Sequence, residues 1–235
     1  KLLRQANGRD PLRNITHLAV GSMNSACVDD KGTLYTWGSY ECLGSEPPPD
    51  VLDANPEASL TVKQVPKFKY RPDKSVPTVV AFFATNASTG RFVVSHLACG
   101  DSHVSVIATP ILKTAKVGTH VYSWGNNSYG QLGIDDRRCV LAFTPRRAQI
   151  PVLIEGLNTN KPDAASAVTG AGVHFKEIQL VSGGRHMVLL LKNRMWAWGW
   201  NKFGQLGIGV SDNDVFGPIA IDMKRMTEHI DGDHK

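Results

Sequence analysis

The sequence predicts an all-β fold built from three copies of one internal repeat. Two stretches of the 235-residue chain share nearly the same pattern, VYSWGNNSYGQLG at residues 121–133 and MWAWGWNKFGQLG at residues 195–207. A shorter copy, LYTWGSYECLG, occupies residues 34–44. Short apolar runs bounded by glycine-containing turns accompany each copy, and such runs are typical of strands. Self-similarity at a long spacing indicates a repeat architecture. The three copies are therefore interpreted together as one repeat.

A second motif lies upstream of each copy and extends the similarity over the whole unit. It reads LAVGSMN at residues 18–24, LACGDSH at residues 97–103 and LVSGGRH at residues 180–186. Each version contains a glycine that is followed three residues later by Asn24, His103 or His186. The repeat glycines are 79 and 83 residues apart, so each unit has room for insertions.

The residues that define the unit are predicted to be structural. They are Gly21, Gly100, Gly183, His103, His186, Trp37, Trp124, Trp198, Gly133 and Gly207. A tryptophan side chain can fill the space between two packed sheets, and the glycine after it lets the backbone bend or approach a neighbour closely. The apolar run at residues 189–191 predicts an inner strand that is buried on both faces. Because Asn24 stands where the other copies have histidine, a hydrogen bond to a backbone turn is favoured there over a metal site or a catalytic base.

The first unit begins with strands predicted at residues 15–21, 25–28 and 33–37. Gly32 provides the positive φ that the tight turn between the second and third strands requires. Residues 45–61 are rich in proline and acidic residues, so they are predicted to form an exposed insertion. A fourth strand is predicted at residues 62–70.

The second and third units follow the same order. Strands are predicted at residues 91–99, 103–108, 119–124 and 143–154, and then at residues 175–182, 186–191, 194–198 and 217–223. We therefore predict one partial domain over residues 1–235. Its units are expected at residues 15–70, 91–156 and 173–223, and its insertions at residues 45–61, 109–118 and 158–172.

The combined motifs resemble those of a known repeat family. ACGDSH, VYSWGNNSYGQLG, VSGGRH and MWAWGWNKFGQLG are similar to the regulator-of-chromosome-condensation repeat, whose family fold is a seven-bladed β-propeller. The resemblance covers residues 15–44, 92–145 and 175–223. It implies an all-β chain that forms about three blades of a larger propeller. Because closed propellers have at least about four blades, the remaining blades or another chain are needed to cover the two apolar end faces.

The composition is that of a globular protein, with 42% hydrophobic residues, 20% charged residues and a formal net charge of +5. No run approaches the roughly 18 apolar residues of a membrane span. The four cysteines form no C-x-x-C pair. This spacing favours reduced thiols and therefore an intracellular location, in the nucleus or the cytoplasm.

Motifs of covalent or cofactor-dependent catalysis are missing from the sequence. It contains no G-x-x-x-x-G-K-[ST] phosphate loop, no G-x-S-x-G elbow and no H-E-x-x-H pair. His229 and His234 lack two further ligands at zinc-like spacing. We therefore expect no catalytic residue, no metal and no cofactor.

A non-enzymatic protein-interaction scaffold is the first functional hypothesis. In this interpretation the insertions form the surface for a protein partner, at residues 45–61, 63–75, 109–118 and 158–172. It follows from the use of common repeat folds as scaffolds for unrelated functions.

The alternative is guanine-nucleotide exchange on a Ran-like small GTPase, and it follows from the family resemblance. In the family's exchange factors an Asp within G-D-S-H helps to contact the GTPase, and residues 100–103 have this sequence. The resemblance thus implies a partner contact for Asp101, with Arg185 as a second candidate. Exchange needs no nucleophile, because binding the nucleotide-free GTPase lowers the affinity for the nucleotide through linkage. A structural turn is the competing interpretation of the same tetrapeptide.

A basic segment raises a third hypothesis, contact with chromatin or another nucleic acid. Its charged residues are Lys63, Lys67, Lys69, Arg71 and Lys74. They alternate with Phe68 and Tyr70, and basic and aromatic side chains together suit nucleic-acid surfaces. Solvated loop charge explains the same pattern without a partner. A steep loss of binding with added salt would distinguish the two.

Overall fold

The computed structural model describes residues 11–46, 73–84, 91–111, 118–150, 178–191 and 194–221. In these residues twelve strands form three antiparallel sheets of four strands each. The first sheet contains β1 (Ile15–Val20), β2 (Asn24–Asp29), β3 (Leu34–Gly38) and β4 (Lys74–Val79). The second contains β5 (Arg91–Cys99), β6 (His103–Ile111), β7 (His120–Asn126) and β8 (Leu141–Arg147). The third contains β9 (Ile178–Ser182), β10 (His186–Leu191), β11 (Arg194–Gly199) and β12 (Val215–Ile221).

The three sheets are blades of a partial β-propeller. Each sheet is a meander in which every strand pairs with its neighbour in sequence. The first strands of the sheets lie next to one another, since β5 contacts both β1 and β9. A single-turn helix, α1 (Ala81–Ala84), follows the outermost strand of the first sheet.

The second sheet is buried on both faces because it lies between the other two. Residues 103–110 of β6 are all buried. Val104 and Val106 belong to an apolar cluster with the first sheet, whereas Ile107 belongs to a cluster with the third. The continuous apolar pattern expected of an inner blade strand is therefore found in β6.

Burial on both faces was also predicted for the strand at residues 189–191, and this prediction is wrong. Leu189 is buried, but Leu190 and Leu191 are only partly buried. The reason is that β10 belongs to an end sheet, and no further sheet covers its outer face among the described residues.

The first unit extends further than predicted. Its fourth strand is β4, Lys74–Val79, whereas we placed this strand at residues 62–70 and ended the unit at residue 70. Residues 62–70 lie outside the described part of the chain. In the second unit, β6 continues to Ile111. The first three residues of the insertion predicted at 109–118 are therefore strand. Residues 112–117 lie outside the described part of the chain.

A proline occupies the same repeat position in each outermost strand. Pro77, Pro145 and Pro218 each lie where the outer strand shifts register, opposite the tryptophan of the Trp-Gly pair. Because proline has no N–H group, it cannot complete a ladder of hydrogen bonds. The prolines and bulges therefore protect the outer edges from pairing with other strands.

Adjacent sheets are joined by the repeat tryptophans. The indole Nε1–H of Trp124 donates to the carbonyl of Cys42 at 3.0 Å, and that of Trp198 donates to the carbonyl of Gln131 at 3.0 Å. Both rings are fully buried. Each tryptophan therefore joins its own sheet to the Leu-Gly turn of the preceding one.

Within the described residues, two apolar faces at the ends of the arc are exposed. Leu18 and Val20 on β1 are each 66% exposed, and Val181 on β9 is 50% exposed. Trp37, the repeat equivalent of Trp124, has no described turn in front of it and is only partly buried. These faces have the composition of blade interfaces, which are normally buried.

Candidate functional site

Three loops, one from each sheet, meet in a row on one side of the arc. Each loop follows a repeat glycine, and the row contains Ser22, Asp101 and Arg185. The Ser22 hydroxyl donates to Oδ1 of Asp101, and the Arg185 guanidinium lies 3.8 Å from Oδ2 of the same carboxylate. The Asp101 N–H donates to the carbonyl of Gly184 at 2.8 Å. Asp101 therefore connects the first sheet to the third across the second.

Glycine at position 184 makes this close approach feasible. A Cβ there would lie 2.7 Å from Oδ2 of Asp101, closer than real Cβ contacts. A larger residue would force either the Asp101 carboxylate or the third loop to shift. The glycine therefore positions Arg185 beside the carboxylate.

Arg185 lies over two aromatic rings, those of Tyr129 and Trp200, which contact each other with their centroids 6.1 Å apart. Its guanidinium carbon lies 5.0 Å from the ring centroid of Tyr129 and 5.6 Å from that of Trp200. Nη1 of Arg185 donates to the Tyr129 hydroxyl at 3.3 Å. The two centroid distances, 5.0 Å and 5.6 Å, are within the range of favourable cation–π contacts. The side chain is therefore ordered before any partner arrives.

The backbone of the Trp-Gly pair places Trp200 in this cluster. Gly199 adopts φ +103°, a conformation that disfavours other residues. A Cβ at Gly199 would also lie 2.6 Å from the Arg185 carbonyl. The turn lets the Trp200 N–H donate to that carbonyl at 2.9 Å. We call Ser22, Asp101, Tyr129, Arg185 and Trp200 the ridge.

The ridge is open to solvent. The side chains of Asp101 and Arg185 are each 44% exposed. An exposed ion pair of this kind contributes only about 0–1 kcal/mol to stability, so the pair does little to hold the fold together. A cleft of about 480 Å³ lies alongside, lined by Gly184, His186, Trp200, Phe203 and Gln205 in addition to the ion pair.

Phe203 is 76% exposed and packs edge-on against Trp200, with ring centroids 5.4 Å apart. It is the repeat equivalent of Tyr129, which Arg185 of the following sheet covers. Its exposure therefore reflects its place at the open end of the arc. The ridge itself lies where neighbouring sheets are present.

The polar repeat position connects each sheet to the next. The Asn24 side chain donates to the carbonyl of Gly100 at 3.0 Å. Nε2 of His103 lies 3.1 Å from the Ser182 hydroxyl and 3.1 Å from the sulfur of Met187. Because the Ser182 hydroxyl itself donates to Gly183, its oxygen accepts from Nε2–H of His103.

The chemistry of His103 follows from its burial. The side chain is fully buried, and Nδ1 has no hydrogen-bond partner. Burial lowers the pKa of His103 to about 4, although the charge of Asp101 acts in the opposite direction. A neutral imidazole enclosed between sheets is suited to packing rather than to proton transfer.

The structure separates the predicted surface residues. Asp101 and Arg185 lie together in the ridge, whereas Lys74 begins β4 and is exposed. Lys63, Lys67, Lys69 and Arg71 lie outside the described residues, as do residues 158–172 and most of residues 45–61.

The described residues contain neither a group of three or more side chains able to hold a metal nor a helix suited to crossing a bilayer. The four cysteines are free. Burial raises the pKa of Cys27 to about 11 and that of Cys99 to about 12, so both thiols remain protonated and unreactive at neutral pH.

The sequence analysis did not identify Ser22, Tyr129 or Trp200 as part of a site. The available signal was their repeat position. Tyr129 lies in the turn after one Trp-Gly pair, Trp200 directly follows another, and Ser22 directly follows a repeat glycine.

Comparisons with known proteins agree with this fold. The sequence profile of the Regulator of chromosome condensation (RCC1) repeat matches residues 120–191 and 192–230. The chain is 24% identical to the serine/threonine-protein kinase Nek9 of Xenopus laevis, over 84% of this chain and 22% of that protein. It is 30% identical to the secretion-regulating guanine nucleotide exchange factor of Mus musculus, over 86% of this chain and 34% of that protein. The chain thus spans between about a fifth and a third of these relatives.

A solved structure supports the same fold. The crystal structure of human WBSCR16 aligns with a TM-score of 0.52 at 18% identity, over 90% of this chain and 41% of that one. Similarity at this level concerns the fold alone. With the repeat matches, the duplicated Trp-Gly and Gly-Gln-Leu-Gly motifs and the three four-stranded sheets, the chain belongs to the regulator of chromosome condensation repeat family.

Proposed function

We propose that this chain is part of a non-enzymatic protein-interaction scaffold whose contact surface includes the ridge. The observation that supports this is Arg185, which is 44% exposed and yet lies over the adjacent rings of Tyr129 and Trp200. Arg, Tyr and Trp are the residues that most often dominate binding energy in protein interfaces. An exposed cluster of all three is therefore suited to recognising a protein.

Preorganisation strengthens this assignment. Immobilising a flexible side chain on binding costs about 0.5–1.5 kcal/mol. The two rings and the hydrogen bond to Tyr129 already restrict Arg185, so much of that cost does not arise when a partner binds. The insertions were our first choice for the contact surface, and they remain a prediction.

The test is a quantitative comparison of bound proteins. Wild type, Arg185→Gln, Trp200→Ala and a control, Arg138→Gln, are used as baits under identical conditions. Arg138 is an exposed arginine that is not one of the ridge residues. We expect a set of proteins that wild type and the control retain equally and that both ridge variants lose. Equal retention by all four baits would refute the role of the ridge.

Guanine-nucleotide exchange on a Ran-like small GTPase is the second candidate. It is favoured by the exposed carboxylate of Asp101 in the ridge and by the similarity to a secretion-regulating guanine nucleotide exchange factor. The ridge would bind the nucleotide-free GTPase more tightly than the loaded form, which weakens nucleotide binding through linkage.

Nucleotide release tests this second candidate. A panel of small GTPases is loaded with fluorescent GDP, and release is followed with wild type, Asp101→Asn and Asp212→Asn. Asp212 is an exposed aspartate at φ +67°, and Asn tolerates that conformation, so the variant is a matched control. Exchange predicts faster release that Asp101→Asn abolishes and Asp212→Asn preserves. An unchanged rate across the panel excludes exchange on those GTPases.

Two further assignments depend on sequence. The free cysteines support an intracellular location, in the nucleus or the cytoplasm.

Chromatin or nucleic-acid contact through the basic segment predicts that affinity falls steeply as salt is raised from 50 to 200 mM. An affinity that does not depend on salt would rule out that contact.

A further inference from the structure

The unused hydrogen-bonding groups of the ridge are mainly donors. A guanidinium group has five N–H donors. One N–H of Arg185 donates to Tyr129, and Nε lies 3.8 Å from Asp101, too far for a hydrogen bond. No other acceptor contacts Arg185 within the described residues. Most of its donors are therefore available to a bound group.

Asp101 is less available than Arg185. Its Oδ1 accepts from Ser22, and its Oδ2 faces the guanidinium of Arg185. Its N–H is already used by Gly184. The unused N–H groups of Arg185 therefore favour a partner group that accepts hydrogen bonds.

The charge balance favours an acceptor with a single negative charge. Carboxylates and phosphates both match the planar fork of arginine. The carboxylate of Asp101 lies beside Arg185, so a doubly charged phosphate would meet more repulsion than a carboxylate. No Lys or second Arg lines the adjacent cleft among the described residues.

The cleft provides space for an apolar neighbour of that carboxylate. Trp200 and Phe203, whose rings pack edge-on against each other, supply apolar surface to the lining of the cleft. A protein segment with an acidic residue next to an apolar one would contact both features. This points to a protein rather than a nucleic acid as the bound molecule.

We propose that the ridge binds an acidic protein segment by placing one Asp or Glu carboxylate on Arg185 and an adjacent apolar side chain in the cleft. This proposal rests on the proposed function of the ridge as a protein-contact surface. It adds the chemical class of the segment that is recognised.

The test is selection of random displayed peptides on the immobilised 235-residue chain. Peptides that also bind Trp200→Ala are removed, so that only binders that depend on the ridge remain. We expect enrichment of Asp or Glu at one position, next to an apolar residue. The selected peptide is then synthesised with Asp, Asn or phosphoserine at that position, and its affinity is measured by fluorescence anisotropy.

A double-mutant cycle assigns the carboxylate to its receptor. Replacing Asp by Asn in the peptide should weaken binding to wild type at least tenfold and binding to Arg185→Gln less than twofold. Arg138→Gln should bind like wild type. Circular dichroism and urea unfolding check that the variants are folded.

The outcomes separate the proposal from the function on which it rests. Ridge-dependent peptides without an acidic residue, or with equal affinity after Asp is replaced by Asn, would overturn the carboxylate proposal while supporting the ridge as a contact surface. Tighter binding of the phosphoserine peptide would indicate a phosphate receptor and would also overturn it. Failure to select any peptide sensitive to Trp200 or Arg185 would count against both.

Discussion

Trp198 donates its indole hydrogen to the main-chain carbonyl of Gln131 across the boundary between the second and third sheets. Trp124 makes the equivalent bond to Cys42 between the first and second sheets. One residue type thus fills the space between blades and also satisfies a buried carbonyl in the preceding turn.

Replacing Trp198 with Phe should lower the free energy of unfolding by about 2–3 kcal/mol, because a buried carbonyl loses its donor and the smaller ring leaves a gap. Urea unfolding followed by circular dichroism measures the change. Trp37→Phe is the matched control, since Trp37 is only partly buried and makes no indole hydrogen bond to the described residues. We expect it to cost less than 1 kcal/mol. Equal losses would mean that the contact with Gln131 has no special role.

Gly133 provides a second test of the same contact. It adopts φ +65°, and a Cβ there would lie 2.8 Å from Nε1 of Trp198. Gly209 also has a positive φ, +82°, but nothing lies within 4 Å of its added Cβ. Gly209→Ala should cost about 1–2 kcal/mol from backbone strain alone, and Gly133→Ala clearly more. Equal urea unfolding midpoints for Gly133→Ala and Gly209→Ala would show that Trp198 moves aside without lowering the free energy of unfolding.

His103 should make the stability of the arc depend on pH. Burial lowers its folded-state pKa from 6.5 to about 4, so the unfolded chain binds a proton at a higher pH than the folded one. The stabilisation is present above pH 6.5 and is lost as the pH falls towards 4. Between pH 7 and pH 4.5 this residue should account for a loss of about 2 kcal/mol.

Urea unfolding at pH 7.0, 5.5 and 4.5 measures that loss. His103→Asn introduces the residue found at the equivalent position 24 and should flatten the dependence on pH, even if it lowers stability at pH 7. His120→Asn is the comparison: burial and the charge of Arg147 also lower the pKa of His120, but this side chain is only partly buried, so its replacement should flatten the dependence less. The same slope for wild type and His103→Asn would contradict the assignment.

The uncovered end faces should make the 235-residue chain associate with itself. Leu18 and Val20 present exposed apolar side chains on β1, and exposed apolar patches of this kind promote association. Sedimentation velocity should show a mass that rises with concentration, and the double substitution Leu18→Lys with Val20→Lys should reduce the rise. A monomer at every concentration for both proteins would argue that the face is covered.

Much of the fold could be predicted from the sequence because the Trp-Gly and Leu-Gly motifs recur at fixed places. The bounds of β10 agree with the prediction, and those of β5 and β11 agree to within a residue. The predicted position of the fourth strand of the first unit was wrong, since that strand is Lys74–Val79, and the proline-rich and basic sequence that precedes it shows no repeat motif. The burial of residues 189–191 was wrong because an apolar pattern cannot show whether a neighbouring sheet is present.

The site was less predictable, since it depends on contacts between sheets. The motif G-D-S-H identified Asp101. It did not indicate that Asp101 accepts a hydrogen bond from Ser22 of the first sheet and forms an ion pair with Arg185 of the third. Trp196 and Trp198, which precede Trp200 at alternate positions, are buried, so the strand pattern alone does not mark Trp200 as a surface residue. Only the turn at Gly199 brings Trp200 beside Arg185.

Hydrogen–deuterium exchange of the chain, free and bound to a captured partner, shows whether the ridge is the contact surface. We expect slower exchange in peptides that cover residues 100–103, 183–186 and 199–204, and we expect Arg185→Gln to remove this protection. Protection confined to residues 45–61, 109–118 and 158–172, with the ridge peptides unchanged, would contradict this expectation and would make the insertions the contact surface.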